Sequence, residues 1–368
     1  MVTVVHRSAV TGMAWTTALG DDLHAVWKRL LNGESGIVEL PSAHQLKNLL
    51  AAPVRDIDLK LPIQQRLHAM AVHTIQNLIQ DAGHKIDATT WLVLGTSFGS
   101  RLDDNERASM HQWAQNIASE FGLQDRCISV STACSSGSDA ILVADELIRS
   151  NKADKVICGG IDVLTEAKRI AHSELGTMSS TYLRAFDERH DGTLLGEGAG
   201  FILLENAKDK KAYAYLIGCG SANDGAGLTA PDHYGRGASL AIERSLKQAG
   251  ISASDIGLIN AHGSGTPIND EIELHSLQTV FGQKNSPLIF ATKGALGHTL
   301  GATGALETIA LILALREKIV PPIVGLEKLY PFNYPLAVGS AKKHQAHYGL
   351  NITLGFGGFD TSLIFEAV

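Results

Sequence analysis

Cys134 has the residue type and the surroundings that nucleophilic catalysis needs. It lies in a Ser-Thr-Ala-Cys-Ser-Ser-Gly segment between a β-branched run and a helical stretch, so its sulfur is predicted at a helix N-terminus. There the helix dipole and free N–H groups favour the thiolate. An isolated cysteine is more often buried and inert, and that interpretation applies to Cys127, Cys158 and Cys219, which lie in apolar strand contexts.

Two histidines occupy glycine-rich segments that come after predicted strands. His262 lies in AHGSGTPIND, which ends at Asp270, and His298 ends a TKGALGH segment that also contains Lys293. Loops at the carboxyl ends of strands carry the functional side chains of many α/β proteins. Either histidine alone would more often be structural, so the prediction of a catalytic site depends on the cysteine and both histidine segments together.

The elements that must position these residues alternate between apolar strands and longer helical patterns. This alternation is typical of an α/β protein with largely parallel sheets. Strands are predicted at 91–95, 126–130, 155–158, 200–205, 256–261, 288–291 and 362–366. Helices are predicted at 23–31, 64–81, 138–149, 237–249 and 304–316.

Two passages repeat one design and indicate an internal duplication. Residues 131–144 and 297–310 each place a reactive side chain ahead of a helix rich in small residues. A glycine-rich turn that feeds a strand follows in each case, at 196–205 and at 355–366. We therefore expect an N-terminal half at 1–205 that carries the nucleophile and a C-terminal half at 206–368 that carries both histidines.

Composition excludes several classes of protein. The net charge of −7 argues against a general nucleic-acid binder, and no apolar run is long enough to span a membrane. The first residues lack the features of a secretory signal. The four cysteines form no CxxC pair, so neither a zinc site nor a disulfide framework is indicated, and a cytoplasmic location is expected.

The three chemical segments, taken together, resemble the β-ketoacyl synthases of the thiolase superfamily. The closest resemblance is to the elongating type II enzymes of bacterial fatty-acid and polyketide pathways. The similarity runs nearly end to end, through FDERHDG at 186–192, LGEGAG at 195–200 and GFGG at 355–358. It implies a thiolase-like fold with duplicated αβαβα layers and two mixed five-stranded sheets.

The resemblance also implies an acyltransferase reaction, a decarboxylating Claisen condensation that extends a chain by two carbons. Cys134 would take the acyl group from the phosphopantetheine arm of an acyl carrier protein, so the chain needs no cofactor of its own. Backbone N–H groups of Cys134 and Phe356 would form the oxyanion hole. His262 and His298 would donate hydrogen bonds to the enolate formed when malonyl-acyl carrier protein loses carbon dioxide.

Further roles follow from the same resemblance. Lys293 would support the histidines and pair with Glu273, one helical turn beyond Asp270, although the alternative is a purely structural ion pair. Ser264 and Thr266 would hold the pantetheine arm. The gating loops would contain, in the order of the chain, Asp224, Thr229, Phe356 and Gly357.

Partners are implied as well. Family members are dimers joined at a sheet edge, and the strand at 126–130 matches the pairing strand, so we expect a homodimer or a heterodimer with a ketosynthase-like subunit. Docking of an acidic carrier protein needs a local basic patch. The candidate cations are Arg66, Lys168, Arg169 and Arg184, with Arg66 and Arg184 favoured by family position.

Some residues depart from the family pattern. The segment at 97–107 is compressed, and Phe359-Asp360 replaces the usual Thr-Asn after GFGG. Ile352 replaces an asparagine near the cation site of some relatives, so no metal is predicted. These departures favour a specialised polyketide or polyene pathway. Two alternatives remain open: a non-decarboxylating thiolase, and a non-catalytic partner subunit of the chain-length-factor type.

Overall fold

Ten strands form one continuous mixed sheet in the computed structural model, which describes residues 7–83, 86–101, 103, 109–206, 212–229, 231–282, 286–332 and 334–368. Two short two-stranded sheets, β2–β3 and β11–β12, lie outside it. In chain order the strands are β1 Ser8–Thr16, β2 Val38–Glu39, β3 Leu50–Ala51, β4 Trp91–Gly95, β5 Cys127–Val130, β6 Lys155–Asp162, β7 Gly198–Asn206, β8 Ala214–Asn223, β9 Ile256–Asn260, β10 Leu288–Phe290, β11 Ile319–Val320, β12 Lys342–Lys343, β13 Tyr348–Gly355 and β14 Phe359–Ala367.

Helices separate most of the strands. They are α1 Leu23–Leu31, α2 Ile63–Ala82, α3 Met110–Ser119, α4 Ser136–Arg149, α5 Glu166–Glu174, α6 Arg236–Ala249, α7 Pro267–Phe281, α8 Lys293–Leu296 and α9 Thr303–Glu317. The five predicted helices match α1, α2, α4, α6 and α9 to within two residues at each end. The prediction does not include α5 or α7, nor the long strands β8 and β13.

The large sheet consists of two five-stranded halves that share one topology. Its order is β10-β9-β13-β14-β8-β1-β7-β6-β4-β5, and β8 meets β1 through three residue pairs between Ser8–Val10 and Ala214–Leu216. Outward from this join, each half has two antiparallel pairings followed by two parallel ones. The α/β class is confirmed, with the difference that the two expected sheets are hydrogen-bonded into one.

Successive side chains of a strand point to opposite faces of the sheet, and helices pack on both faces. In β6, Val156 and Cys158 belong to the cluster around α4 and α9, whereas Ile157 faces the cluster around α2 and α3. On the C-terminal half, α9 packs against β13 and β9, and α6 packs against β8 and β14. The central helix α9 is buried on every side as far as Leu315, as its position between two sheet halves requires.

Glycines let the first turns of α4 and α9 approach closely. A Cβ atom on Gly137 would lie 2.9 Å from the carbonyl oxygen of Gly301, and one on Gly304 would collide with Ser138. Larger residues would force the two helices apart. The close approach brings together the residues just before each helix, which include Cys134 and His298. No helix among the described residues is long and apolar enough to cross a membrane.

Candidate active site

Cys134 lies in a one-turn 3-10 helix, Ala133–Ser135, directly before α4. Ala133 has φ 51°, a left-handed conformation that residues other than glycine rarely adopt. The matching turn before α9 contains Leu300 at φ 50°. Such strain persists where the surrounding structure holds it, and it is typical of functional sites. The two turns therefore share one left-handed backbone conformation, and they lie on either side of the site.

The thiol of Cys134 is buried, with 4% of the residue exposed. Burial raises its pKa to about 11, although the nearby ammonium of Lys293 and the backbone N–H of Phe356 favour the thiolate. Burial thus opposes the thiolate that the helix N-terminus is expected to favour, and in the free protein it outweighs the effects of Lys293 and Phe356. The N–H of Phe356 does lie within hydrogen-bond reach of the sulfur, where an oxyanion hole with Cys134 requires it.

His262 and His298 face each other edge to face, with ring centroids 5.3 Å apart. Nδ1 of His262 lies 3.2 Å from Nζ of Lys293, and Nδ1 of His298 accepts the N–H of Leu300 at 3.2 Å. Both Nδ1 atoms accept hydrogen bonds, which assigns the proton of each ring to Nε2. Burial, together with the positive charge of Lys293, holds the pKa of both histidines well below the usual range. Both rings are therefore neutral N–H donors.

The carboxylate partner of Lys293 is Glu307 on α9, with Nζ 2.5 Å from Oε1, and not the expected Glu273. Lys293 also donates to the carbonyl oxygen of His262, so its three N–H bonds all have acceptors. The difference arises because α8 and α9 place Glu307 beside Lys293. Burial raises the pKa of Glu307 to about 7, while the ammonium of Lys293 acts in the opposite direction.

Glu273 and Asp270 instead hold the loop that carries His262. Glu273 accepts the backbone N–H groups of His262 at 2.6 Å and Gly263 at 2.8 Å. Asp270 accepts the N–H of Gly265 at 3.0 Å. Burial raises the pKa of Glu273 to about 8, and the two N–H groups counteract it. Both carboxyls are thus positioning groups for the loop backbone.

Cys134, His262 and His298 line one cavity of about 460 Å³. Ser264 and Thr266 lie on its wall, with their hydroxyl oxygens 2.9 Å apart. Further lining residues come from the two expected gating loops and include Thr229, Phe356 and Gly357. The structure therefore brings the predicted nucleophile, donors and arm-binding hydroxyls to a single opening.

The two gating loops are hydrogen-bonded to each other. The N–H of Gly357 donates to the carbonyl oxygen of Leu228 at 2.8 Å, and the side-chain amide of Asn223 donates to the carbonyl oxygen of Gly357 at 2.8 Å. Asp224 does not line the cavity; its carboxylate accepts the N–H groups of Ala226 and Asp232, both at 2.9 Å, which holds the loop in shape. Movement of one loop must therefore disturb the other.

Three of the four expected docking cations are buried, which contradicts their prediction as a docking patch. Arg66 is 4% exposed and makes a bidentate ion pair with Glu197. Lys168 and Arg169 are buried as well, and they pair with acidic side chains of the same chain. Arg184 alone among the four is half-buried; it donates to the hydroxyl of Thr181 at 2.7 Å and lies over the ring of Tyr182.

His172 also lines this cavity, and it is not among the residues predicted from the sequence. Its ring stacks on Phe356 with centroids 5.8 Å apart and planes 19° apart. The polar pattern of α5 gave no signal for it, since a histidine in such a helix is usually at the surface. Within the described ranges, no three His, Cys, Asp or Glu side chains are grouped so that they could hold a metal ion.

Comparisons with known proteins agree over nearly the whole chain. Residues 6–66 and 60–210 match the beta-ketoacyl synthase N-terminal domain, and 213–327 match its C-terminal domain. A 3-oxoacyl-[acyl-carrier-protein] synthase 2 of Mycobacterium bovis is 31% identical over 97% of this chain and 96% of its own length.

Two solved structures are similar to this chain over nearly its whole length. A beta-ketoacyl synthase from Burkholderia phymatum is 28% identical with a TM-score of 0.88, and the match covers 99% of this chain and 100% of that one. The ishigamide ketosynthase/chain length factor is 25% identical with a TM-score of 0.92, again over 99% and 100% of the two chains. These similarities confirm the expected thiolase-like architecture.

Proposed function

Since the chain belongs to the β-ketoacyl synthase family, we propose that it joins an acyl group on Cys134 to malonyl-acyl carrier protein by decarboxylating condensation. The observation that carries this proposal is the shared cavity, in which one thiol faces two neutral histidines whose Nε2–H groups are free to donate. An enolate oxygen needs two such donors. A reaction that needed only the thiol would give these two N–H donors no role.

The first half-reaction is transfer of the acyl group. The sulfur of Cys134 bonds to the acyl carbon, the bond to the pantetheine sulfur breaks, and the proton of the thiol leaves with the pantetheine thiol. The raised pKa of Cys134 means that this proton must be lost as attack occurs. The N–H groups of Cys134 and Phe356 stabilise the oxyanion of the intermediate.

The second half-reaction forms the new carbon–carbon bond. The malonyl group loses carbon dioxide, and its electron pair becomes an enolate whose oxygen accepts the Nε2–H groups of His262 and His298. The enolate carbon then attacks the acyl carbon, and Cys134 leaves and regains a proton. Neutral histidines suit this role because they donate without transferring a proton in advance.

The binding groups are assigned on the same basis. Ser264 and Thr266 hold the pantetheine arm at the cavity wall, and the acyl and malonyl groups arrive on an acyl carrier protein, so the chain needs no cofactor or metal of its own. We place the enzyme in the cytoplasm, in a specialised polyketide or polyene pathway. The halves 1–205 and 206–368 each contribute one side of the site.

The quaternary structure we propose is a dimer, either homomeric or with a ketosynthase-like subunit. The strand β5 lies at the end of the large sheet, where its outer backbone groups are available for pairing. Sedimentation of the purified chain measures this directly. A monomer would contradict the homodimer, and recovery of a dimer only with a sister subunit would support the heterodimer.

One experiment tests the reaction and separates it from its alternatives. The protein is incubated with acyl-carrier proteins of several chain lengths and then with malonyl-acyl carrier protein, while the mass of Cys134 and the release of carbon dioxide are followed. We expect a stable acyl adduct and then a product two carbons longer. A product formed without a malonyl donor would indicate a thiolase. Absence of both adduct and carbon dioxide would indicate a non-catalytic partner subunit.

A further inference from the structure

His172 is a third histidine in the cavity, and the proposed reaction gives it no task. It lies on α5, which is capped by Thr165, whose hydroxyl accepts the N–H of Lys168 at 3.1 Å. Only 8% of His172 is exposed. Its ring stacks on Phe356, whose backbone N–H faces the sulfur of Cys134. Phe356 thus links His172 to the nucleophile.

The hydrogen bonds of His172 leave one ring nitrogen unused. Nδ1 lies 2.9 Å from the hydroxyl oxygen of Thr177, and that hydroxyl donates to the carbonyl oxygen of His172 at 3.2 Å. We therefore assign the ring proton to Nδ1, where it donates to the hydroxyl oxygen, so that Nε2 carries a lone pair. Nothing in the described part of the chain donates to Nε2. This tautomer is opposite to that of the two catalytic histidines.

The charge state of the ring supports the same assignment. Burial, and then the positive charge of Lys168, lower the pKa of His172 to about 4. The ring is neutral at physiological pH, so its Nε2 atom stays an acceptor.

A second unused polar group lines the same cavity. Thr193 lines the cavity, and its N–H donates to the carbonyl oxygen of Thr177 at 2.8 Å. Its hydroxyl is buried and has no hydrogen-bond partner within the described residues. A buried polar group without a partner is costly, so an acceptor and a hydroxyl that remain unpaired in one cavity indicate a missing ligand group.

We infer that His172 is a specificity-determining residue that accepts a hydrogen bond from a hydroxyl group on the acyl chain carried by Cys134. Thr193 completes the site, since a substrate hydroxyl both donates to Nε2 and accepts from Thr193. A saturated chain would cover both groups without pairing them. Sites built to bind a hydroxyl reject analogues that lack it, and the loss of one neutral hydrogen bond corresponds to about a tenfold difference in rate. This inference rests on the proposed function.

The test compares two acyl donors that differ in one hydroxyl, hexanoyl- and 3-hydroxyhexanoyl-acyl carrier protein. Loading onto Cys134 is followed by intact-protein mass in direct competition. The wild-type protein is expected to load the hydroxylated chain about tenfold faster. His172→Phe keeps a ring to stack on Phe356 and removes the acceptor, so it should bring the ratio close to one. Thr193→Val should lower the ratio by a smaller factor.

His111→Phe, at an exposed position of α3, is the matched control and should leave the ratio unchanged. Should His172→Phe not fold, Thr193→Val and the wild-type ratio still decide the question. Equal loading of both acyl donors by the wild type would overturn the inference. So would slower decarboxylation of malonyl-acyl carrier protein by His172→Phe at an unchanged loading ratio, since His172 would then act on the malonyl group. Failure of the proposed function looks different, because then neither donor loads and no carbon dioxide is released.

Discussion

The ammonium of Lys293 lies 2.5 Å from Oε1 of Glu307 and 3.2 Å from Nδ1 of His262. One buried cation thus connects a carboxyl of the central helix α9 to a ring that we propose as a donor in the second half-reaction. The contact also fixes which ring nitrogen carries the proton. Loss of the carboxyl would leave a buried positive charge without its partner, which is more costly than loss of the pair as a whole.

Glu307→Gln should therefore weaken both the fold and the decarboxylation step. We expect the free energy of unfolding to fall by about 3 kcal/mol, and carbon dioxide release from malonyl-acyl carrier protein to slow at least tenfold. Denaturant unfolding and a decarboxylation assay measure the two effects. Glu243→Gln, at an exposed position of α6, is the control. Unchanged decarboxylation in Glu307→Gln would show that the ion pair has no influence on His262.

The grouping of the proposed catalytic residues in one cavity is predictable from sequence, but the partner of Lys293 is not. Cys134, His262 and His298 lie in motifs whose residue types and spacing identify them. Glu273 and Glu307 are both carboxyls within helices, and nothing local distinguishes them. Only the packing of α8 against α9 decides which one meets Lys293.

Local sequence patterns also do not predict which charged side chains are buried. Arg66 and Lys168 look like surface cations, because most arginines and lysines are exposed. Glu197, the partner of Arg66, lies 131 residues further along the chain, just before β7. Asp162, the partner of Lys168, ends β6, and only the turn between β6 and α5 brings the two side chains together. The join between the two halves of the sheet is unpredictable from local sequence for the same reason, since β1 and β8 meet only through tertiary packing.

The raised pKa of Cys134 predicts how its alkylation depends on pH. Because burial raises that pKa to about 11, the thiol is protonated at neutral pH, and the thiolate fraction grows as pH rises. The iodoacetamide rate should increase about tenfold per unit between pH 7 and 9 without levelling off. Mass mapping of the adduct, with Cys134→Ala as the blank, identifies the site. A plateau near pH 7 would mean that the thiolate is already formed in the free protein.

Substitution of the nucleophile should separate the two half-reactions. Cys134→Ala is expected to abolish acyl loading and condensation, because the other three cysteines are buried within the fold and do not line the cavity. Cys134→Gln should also lose condensation yet retain malonyl decarboxylation, since the amide resembles the acylated state while both histidines remain. Full condensation by Cys134→Ala would refute the nucleophile assignment.

His298→Ala should affect only the second half-reaction. In the proposed reaction its Nε2–H donates to the enolate, whereas acyl transfer uses Cys134 and the N–H of Phe356. Loading of Cys134, measured by mass, is expected to stay within about threefold of wild type, while carbon dioxide release falls by 10² or more, about the loss that follows removal of one oxyanion donor. An equal loss in both steps would mean that His298 organises the thiol rather than the enolate.

We expect docking of an acidic carrier protein to require local positive charge, because the chain itself is net negative at −7. With Arg66, Lys168 and Arg169 engaged in ion pairs, Arg184 is the remaining candidate cation of that group. Exposed charges are screened by salt and act mainly on the rate of association. Acyl loading should therefore slow as salt rises, and Arg184→Glu should slow it several-fold at low salt, with a smaller effect at high salt.

Lys343→Glu, at an exposed position of β12, makes the same charge change elsewhere and should have little effect. Loading that is indifferent both to salt and to Arg184→Glu would exclude electrostatic docking at this residue, and equal slowing by both variants would indicate a response to net charge alone.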